Sequence, residues 1–186
     1  MGFQRPIRGN VLVNGVDVTT ADPADIGRGV GYLPQRAGAI LFNETVAAEL
    51  AFTARHHRGH ARDLDETLEA LELVELRGRN PRDLSAGEQE RTALAAVLIA
   101  NPKVLLLDEP TRGMDARRKR SLARFIRARR EEGVAVLLAT HDVELVAETA
   151  TRVVIIGGGE IIADGSPRDV LSGSLTYTTQ INKLFG

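Results

Sequence analysis

Two kinds of apolar pattern share this chain. Residues 104–107 (Val-Leu-Leu-Leu) and 134–139 are continuous apolar runs, the form taken by strands buried on both faces. Leu64, Leu68 and Leu71 instead recur at helical spacing among Asp63, Asp65, Glu66, Glu69, Glu72 and Glu75. Val11-Leu12-Val13 and Val16-Asp17-Val18 flank Asn14-Gly15, a two-residue hairpin signal. Val30–Leu33 predicts a short strand stopped by Pro34, which delivers Gln35 into a loop. Residues 44–76 read as helical, and Ser85 opens a further helix through about Ala100. Beyond it strand and helix alternate over 104–107, 116–130, 134–139, 143–150 and 153–156. Gly157-Gly158-Gly159 predicts a tight turn into Ile161-Ile162, and 167–171 a short helix. This alternation predicts an α/β fold, a parallel sheet covered on both faces by helices. Residues 44–100 interrupt it as an inserted helical lobe, and neither repeats nor low-complexity segments occur.

Composition changes this picture little. The 186 residues, 43% hydrophobic and 26% charged, fit one domain with a proper core. A net charge of −1 supplies no global field for nucleic acid or for acidic substrates. With no cysteine there are no disulfides or cysteine metal sites, which suits the cytosol. The longest apolar stretches, such as 93–100 and 134–139, fall far short of the roughly 20 residues that cross a bilayer. Met1-Gly2-Phe3-Gln4-Arg5-Pro6 has no apolar signal core, so no export segment is expected and membrane work would go through a partner. Two charged stretches have bland readings. The basic run from Arg117 to Arg130 carries Leu122, Phe125 and Ile126 at helical spacing, which favours an exposed amphipathic helix over a nucleic-acid surface. His56-His57-Arg58-Gly59-His60 lacks a further ligand type nearby and reads as a solvated loop rather than a metal site.

Candidate chemistry gathers at strand ends, where open parallel sheets bind ligands. Three ends carry suitable groups: Gln35, the pair Asp108-Glu109, and Thr140-His141-Asp142. Asp108 can hold a hydrated Mg²⁺, since hard ions take oxygen ligands, and Glu109 can orient or deprotonate a water. His141 can hydrogen-bond a terminal phosphate, and the Gln35 amide can touch both metal and water. Singly, each has a structural alternative: Asp108-Glu109 capping a turn, His141 and Gln35 exposed on loops. Three polar ends in this order favour a site. Leu84-Ser85-Ala86-Gly87-Glu88-Gln89-Glu90-Arg91 also reads two ways. Ser85 and Glu88 form a capping box, sufficient for a purely structural role. The same helix start, with a hydroxyl and a glycine, suits an anion. A phosphate loop of the form G-x-x-x-x-G-K-[ST] would normally accompany a strand like 104–108. The three lysines, Lys103, Lys119 and Lys183, follow Pro102, Arg118 and Asn182, so no Gly-Lys pair occurs.

In series, these motifs resemble the nucleotide-binding subunit of ABC transporters over nearly the whole chain. Residues 85–88 match that family's signature, with Ala86 and Glu88 standing where Gly and Gln are usual. Asp108 and Glu109 match the Walker B aspartate and catalytic glutamate, Gly113-Met114-Asp115 the D-loop, His141 the switch histidine and Gln35 the Q-loop. The resemblance implies a P-loop NTPase-like fold and an ATPase with ATP and Mg²⁺ as cofactors. Asp108 and Gln35 would then serve the metal, Glu109 and His141 catalysis, and Gln35, Ser85, Ala86, Gly87, Glu88 and Asp115 the nucleotide. It implies transmembrane partner subunits and placement at the inner face of the cell membrane, coupling hydrolysis to solute transport. The style is similar to the cobalt and energy-coupling-factor branch, hence import. In the family a phosphate loop precedes a segment like 2–9, so this chain is expected to begin just after it, without the front strand and phosphate-loop helix. Apolar side chains of the sheet would then be uncovered, and an ATP site would require a second subunit bearing its own phosphate loop. A non-catalytic helper subunit, an inactive gene fragment and a non-transport ABC ATPase are the other readings; the last usually has two cassettes or a coiled-coil insertion, absent here.

Overall fold

A computed structural model describes residues 6–27, 29–56 and 61–172. The chain forms two compact units, one of Met1–Gly113 with Arg129–Ala139, the other of Met114–Ala128 with Thr140–Gly186. His57, Arg58, Gly59 and His60 of the histidine-rich loop lie outside the described residues. His56 is the last residue of its helix, and its Nδ1 donates to the Phe52 carbonyl at 2.7 Å.

The first unit opens with the hairpin, β1 (Leu12–Val13) and β2 (Val16–Asp17), paired antiparallel. Asn14 and Gly15 have φ of 50° and 79°. Both values fit the two-residue turn whose twist matches the strands, and Asn and Gly are the residues that tolerate them. Helix α1 (Pro23–Gly27) leads to β3 (Val30–Leu33). β3, β4 (Val104–Asp108) and β5 (Ala135–Ala139) form a parallel sheet in that order. Its register aligns Leu33 with Leu107 and Leu107 with Leu138. All three strands therefore end at one edge.

One face of this sheet is closed. Leu33, Leu105 and Leu107 are at most 2% exposed, and α4 (Ala86–Leu98) packs against β3. Gly31 lets the helix approach. A Cβ there would lie 2.6 Å from Val97 Cγ1 and 2.9 Å from Pro102 Cγ, neither of which can swing away. Around α4 pack α2 (Val46–His56) and α3 (Leu64–Ala70), so residues 44–100 are helical and share the sheet's unit. Of the leucine stripe on α3, Leu68 and Leu71 are buried and Leu64 is half-buried.

The opposite face departs from the expected two-sided cover. Register places Tyr32, Leu106 and Leu137 in one row. Tyr32 is 48% and Leu137 67% exposed. Among the described residues this apolar row is therefore largely exposed.

The second unit holds α5 (Ala116–Glu131, through Ala128), α6 (Val143–Thr149), the strands β6 (Val153–Gly157) and β7 (Glu160–Gly165), and α7 (Pro167–Ser172). α5 buries Leu122, Ala123 and Ile126, with Phe125 half-buried. Here a further expectation is corrected. β6 does not join the parallel sheet; it pairs antiparallel with β7 through Gly158 and Gly159, at φ 59° and 82°. Its run Val-Val-Ile-Ile alternates between half-buried and exposed positions, with Ile156 69% exposed. An apolar run does not by itself distinguish a central strand from half of a hairpin.

Candidate functional site

Gln35 and the pair Asp108-Glu109 follow the ends of neighbouring strands, at the carboxyl edge of the parallel sheet. Gln35 is exposed in the loop after Pro34. Asp108 is the last residue of β4 and half-buried. Glu109 is half-buried with φ of 51°, a left-handed conformation rare outside glycine. Its N–H donates to the Ala139 carbonyl at 2.8 Å, and its own carbonyl accepts the Arg112 N–H at 3.2 Å. The end of β5 thus fixes the residue after β4 in a strained geometry of the sort that concentrates at working sites. Two carboxylates and an amide oxygen are a donor set that suits a hard, hydrated divalent cation. His141 stands two residues beyond the end of β5 along the chain, in the other unit, and is exposed, as is Asp115.

Ser85 to Glu88 occupy the start of α4. Ser85 is exposed and Gly87 buried; Ala86 is exposed and Glu88 half-buried. The Ser85 N–H and hydroxyl donate to one Glu88 carboxylate oxygen at 2.9 and 2.6 Å. The capping box read from sequence is therefore present. It also sets a carboxylate at the helix end whose dipole favours anions, where glutamine would be neutral. A phosphate arriving there has to displace Glu88 from the serine hydroxyl.

Further on, Gly87, Glu90, Arg91, Leu94 and Leu98 lie on a buried stripe of α4. Burial pushes the Glu90 carboxyl up to about 7, against the pull of the Arg112 guanidinium. Its Oε1 is buried without a hydrogen-bond partner. Folding thus favours the protonated acid. Stability on this account is full below the ordinary value of 4.5 and is lost as pH rises through about 7. Glu90→Gln keeps the shape without the charge. It is expected to add ~2–3 kcal/mol at pH 8 and little at pH 4. Urea unfolding at both pH values checks this; an equal gain at both would sink it.

An apolar cleft of about 310 Å³ lies in the same unit, bordered by Tyr32, Ile40, Phe42, Glu49 and Phe52. Phe42, 58% exposed, meets Phe52 edge-on at 5.1 Å. No cluster of three metal-ligating side chains occurs among the described residues. No described helix is long and apolar enough to cross a membrane.

Comparison with known families decides the rest. The family model described as ABC transporter matches residues 1–112. The chain belongs to the ABC transporter family. It is similar, at 43% identity over 99% of its length, to an ABC transporter ATP-binding protein of Streptomyces avermitilis, of which it covers 33%. With a Pyrococcus horikoshii protein of the same description it shares 39% identity over 90% of its length, covering 66% of that protein. The chain thus spans between a third and two-thirds of these curated relatives. Among solved structures, cbiO1 of Clostridium perfringens, part of the ABC transporter complex cbiONQ, superposes with a TM-score of 0.74 at 25% identity, over 93% of this chain and 72% of that one. Within the ABC transporter frame the α/β fold with a parallel sheet is as the sequence predicted.

Sequence reasoning missed the buried acids Glu49 and Glu90. Helical spacing held the signal: Val46, Glu49 and Leu50 are one stripe on α2, as Gly87, Glu90, Arg91 and Leu94 are on α4.

Proposed function

We propose that this chain is an ATP-binding module of a membrane transporter which completes a nucleotide site together with a second ATP-binding subunit. One observation carries the reading. The parallel register brings Gln35 and Asp108-Glu109 to a single sheet edge, in a chain of the ABC transporter family. Asp108 and Gln35 are assigned to a hydrated Mg²⁺, Glu109 to the attacking water, and His141 to the terminal phosphate, each in a site on the same polypeptide as a phosphate loop. The magnesium supplies charge neutralisation between phosphates when bound. Ser85, Ala86, Gly87, Glu88 and Asp115 are assigned instead to a nucleotide held by the partner. The 186 residues contain no Gly-Lys pair, and the second set is the one that does not call on a phosphate loop within them.

The transporter role adds transmembrane subunits and a peripheral place at the inner face of the membrane. Residues 44–100 act as the helical lobe that carries the signature serine. The solved cbiO1 is part of an ABC transporter complex, which supports the transporter role; the cobalt and energy-coupling-factor branch and import rest on the sequence resemblance alone. The test is nucleotide-dependent assembly. The purified chain is mixed with an ABC ATP-binding subunit that has a phosphate loop, and the mass of the complex is followed by light scattering. A heterodimer with ATP and Mg²⁺, and none without, is expected. No association under any nucleotide condition would refute the reading.

A further inference from the structure

In the second unit, a contact joins the helix start after Asp115 to the loop that carries His141. Asp115 immediately precedes α5, and its Oδ1 accepts the Arg118 N–H at 2.9 Å. Asp142 precedes α6, and its Oδ1 accepts the Leu145 N–H at 3.1 Å. Lys119, one turn into α5, lies with Nζ 2.6 Å from Asp142 Oδ2. The Lys119 side chain is 37% exposed and that of Asp142 only 7%. An exposed ion pair would be worth little. This one joins a lysine to a carboxylate that is almost wholly buried, at charge-assisted hydrogen-bond distance. The pair lines a pocket of about 250 Å³ together with Ala116, Arg120, Leu145 and Glu148.

We propose that Lys119 is a positioning residue for His141. By holding Asp142, its ammonium ties the loop that presents His141 to the helix start that presents Asp115, and keeps the two in fixed relation. The physical reason is the shortness of α6. Seven residues, Val143–Thr149, make too short a helix to stand on propensity alone. Its first turn is held at Asp142, by the Leu145 N–H from within and by Lys119 from α5. Asp142, and more weakly Glu144, raise the Lys119 pKa against a smaller desolvation. His141 is one residue from this anchor. Asp115 is one helical turn from Lys119, and the Lys119 N–H donates to the Asp115 carbonyl at 3.0 Å. Displacing either loop therefore strains the other. The inference rests on the nucleotide-facing roles given to His141 and Asp115, but the tie itself is measurable without nucleotide.

The experiment is NMR on the full chain, comparing wild type with Lys119→Met and Lys119→Arg. In Lys119→Met the Leu145 and Val146 amides should exchange about fivefold faster or more, while Ile155 and other β6–β7 amides keep their rates. The His141 ring and Arg118 amide signals should both move, and Lys119→Arg should restore them. Should Lys119→Met fail to fold, Asp142→Asn, which retains an acceptor for the cap and removes only the charge, reads the same signals. Unchanged Leu145 exchange, an unmoved His141 ring, or exchange that quickens evenly through β6–β7 would each overturn the proposal. Failure of nucleotide-dependent assembly with these signals behaving as expected would instead refute the functional reading and leave the tie intact.

Discussion

Glu49→Ala is expected to remove about 3–5 kcal/mol of stability. Glu49 is 1% exposed, and its Oε2 accepts the N–H groups of Phe42 and Asn43, each at 2.8 Å. Those two donors lie in the link between the Gln35 loop and α2, a stretch with little regular structure to satisfy them. Alanine leaves both amides without their acceptor and a gap where the side chain stood, two costs that add. Glu49→Gln keeps one oxygen in place and should lose about half as much. Urea unfolding followed by circular dichroism gives the comparison. An alanine variant within ~0.5 kcal/mol of wild type would show that water takes over both donors. There is a consequence for the cleft. Phe42 stacks edge-on against Phe52, and the residues between it and Gln35 are anchored at one end by β3 and at the other by Glu49. In Glu49→Ala the Phe42 ring should lose its fixed partner, which a tryptophan probe introduced at Phe52 would register as a broadened, red-shifted emission.

What the sequence could reveal depended on how local each cause was. Asn14-Gly15 specifies its turn by the φ values only such residues adopt, and Ser85 with Glu88 specifies a helix start within four residues; both were readable in isolation. Gln35 and Asp108-Glu109 were readable as strand ends because Pro34 and the polar residue after 104–107 mark where each strand stops. The glycine turn at 157–159 was readable too, but that β6 leaves the parallel sheet was not, since 153–156 has the same apolar content as 104–107 and only the partner differs. The open row of Tyr32 and Leu137 follows from register across three strands, which no single segment encodes. Glu90 illustrates the remaining gap. Its position on the buried stripe of α4 is periodic and visible, whereas the raised pKa arises from its burial in the folded unit, with Arg112 pulling against it. The Lys119–Asp142 pair is a link between separate segments of the chain, beyond the reach of any periodic reading.

The larger functional effect should come from Ser85. In the mixed complex with a subunit that bears a phosphate loop, Ser85→Arg is expected to lower ATP hydrolysis at least about a hundredfold. Ser85 is exposed, so the longer side chain can be accommodated in the free chain at the cost of about 1 kcal/mol for the lost cap. At the assembled site the same side chain would fill the space a terminal phosphate needs and remove the hydroxyl proposed to meet it. If Ser85 has the proposed role, loss of its hydroxyl, added to steric exclusion of the nucleotide, would give an effect larger than either alone. Glu160→Gln, exposed on β7 and remote in sequence from every assigned residue, serves as the control and should hydrolyse at the wild-type rate. The decisive comparison is the direction of dependence. An asymmetric site ties hydrolysis to this chain's serine and to the partner's phosphate loop. If the purified chain hydrolysed ATP with Mg²⁺ unaided, and Glu109→Gln abolished that activity, the carboxylates at the edge of β4 would be serving a nucleotide on their own polypeptide and the asymmetric arrangement would be wrong.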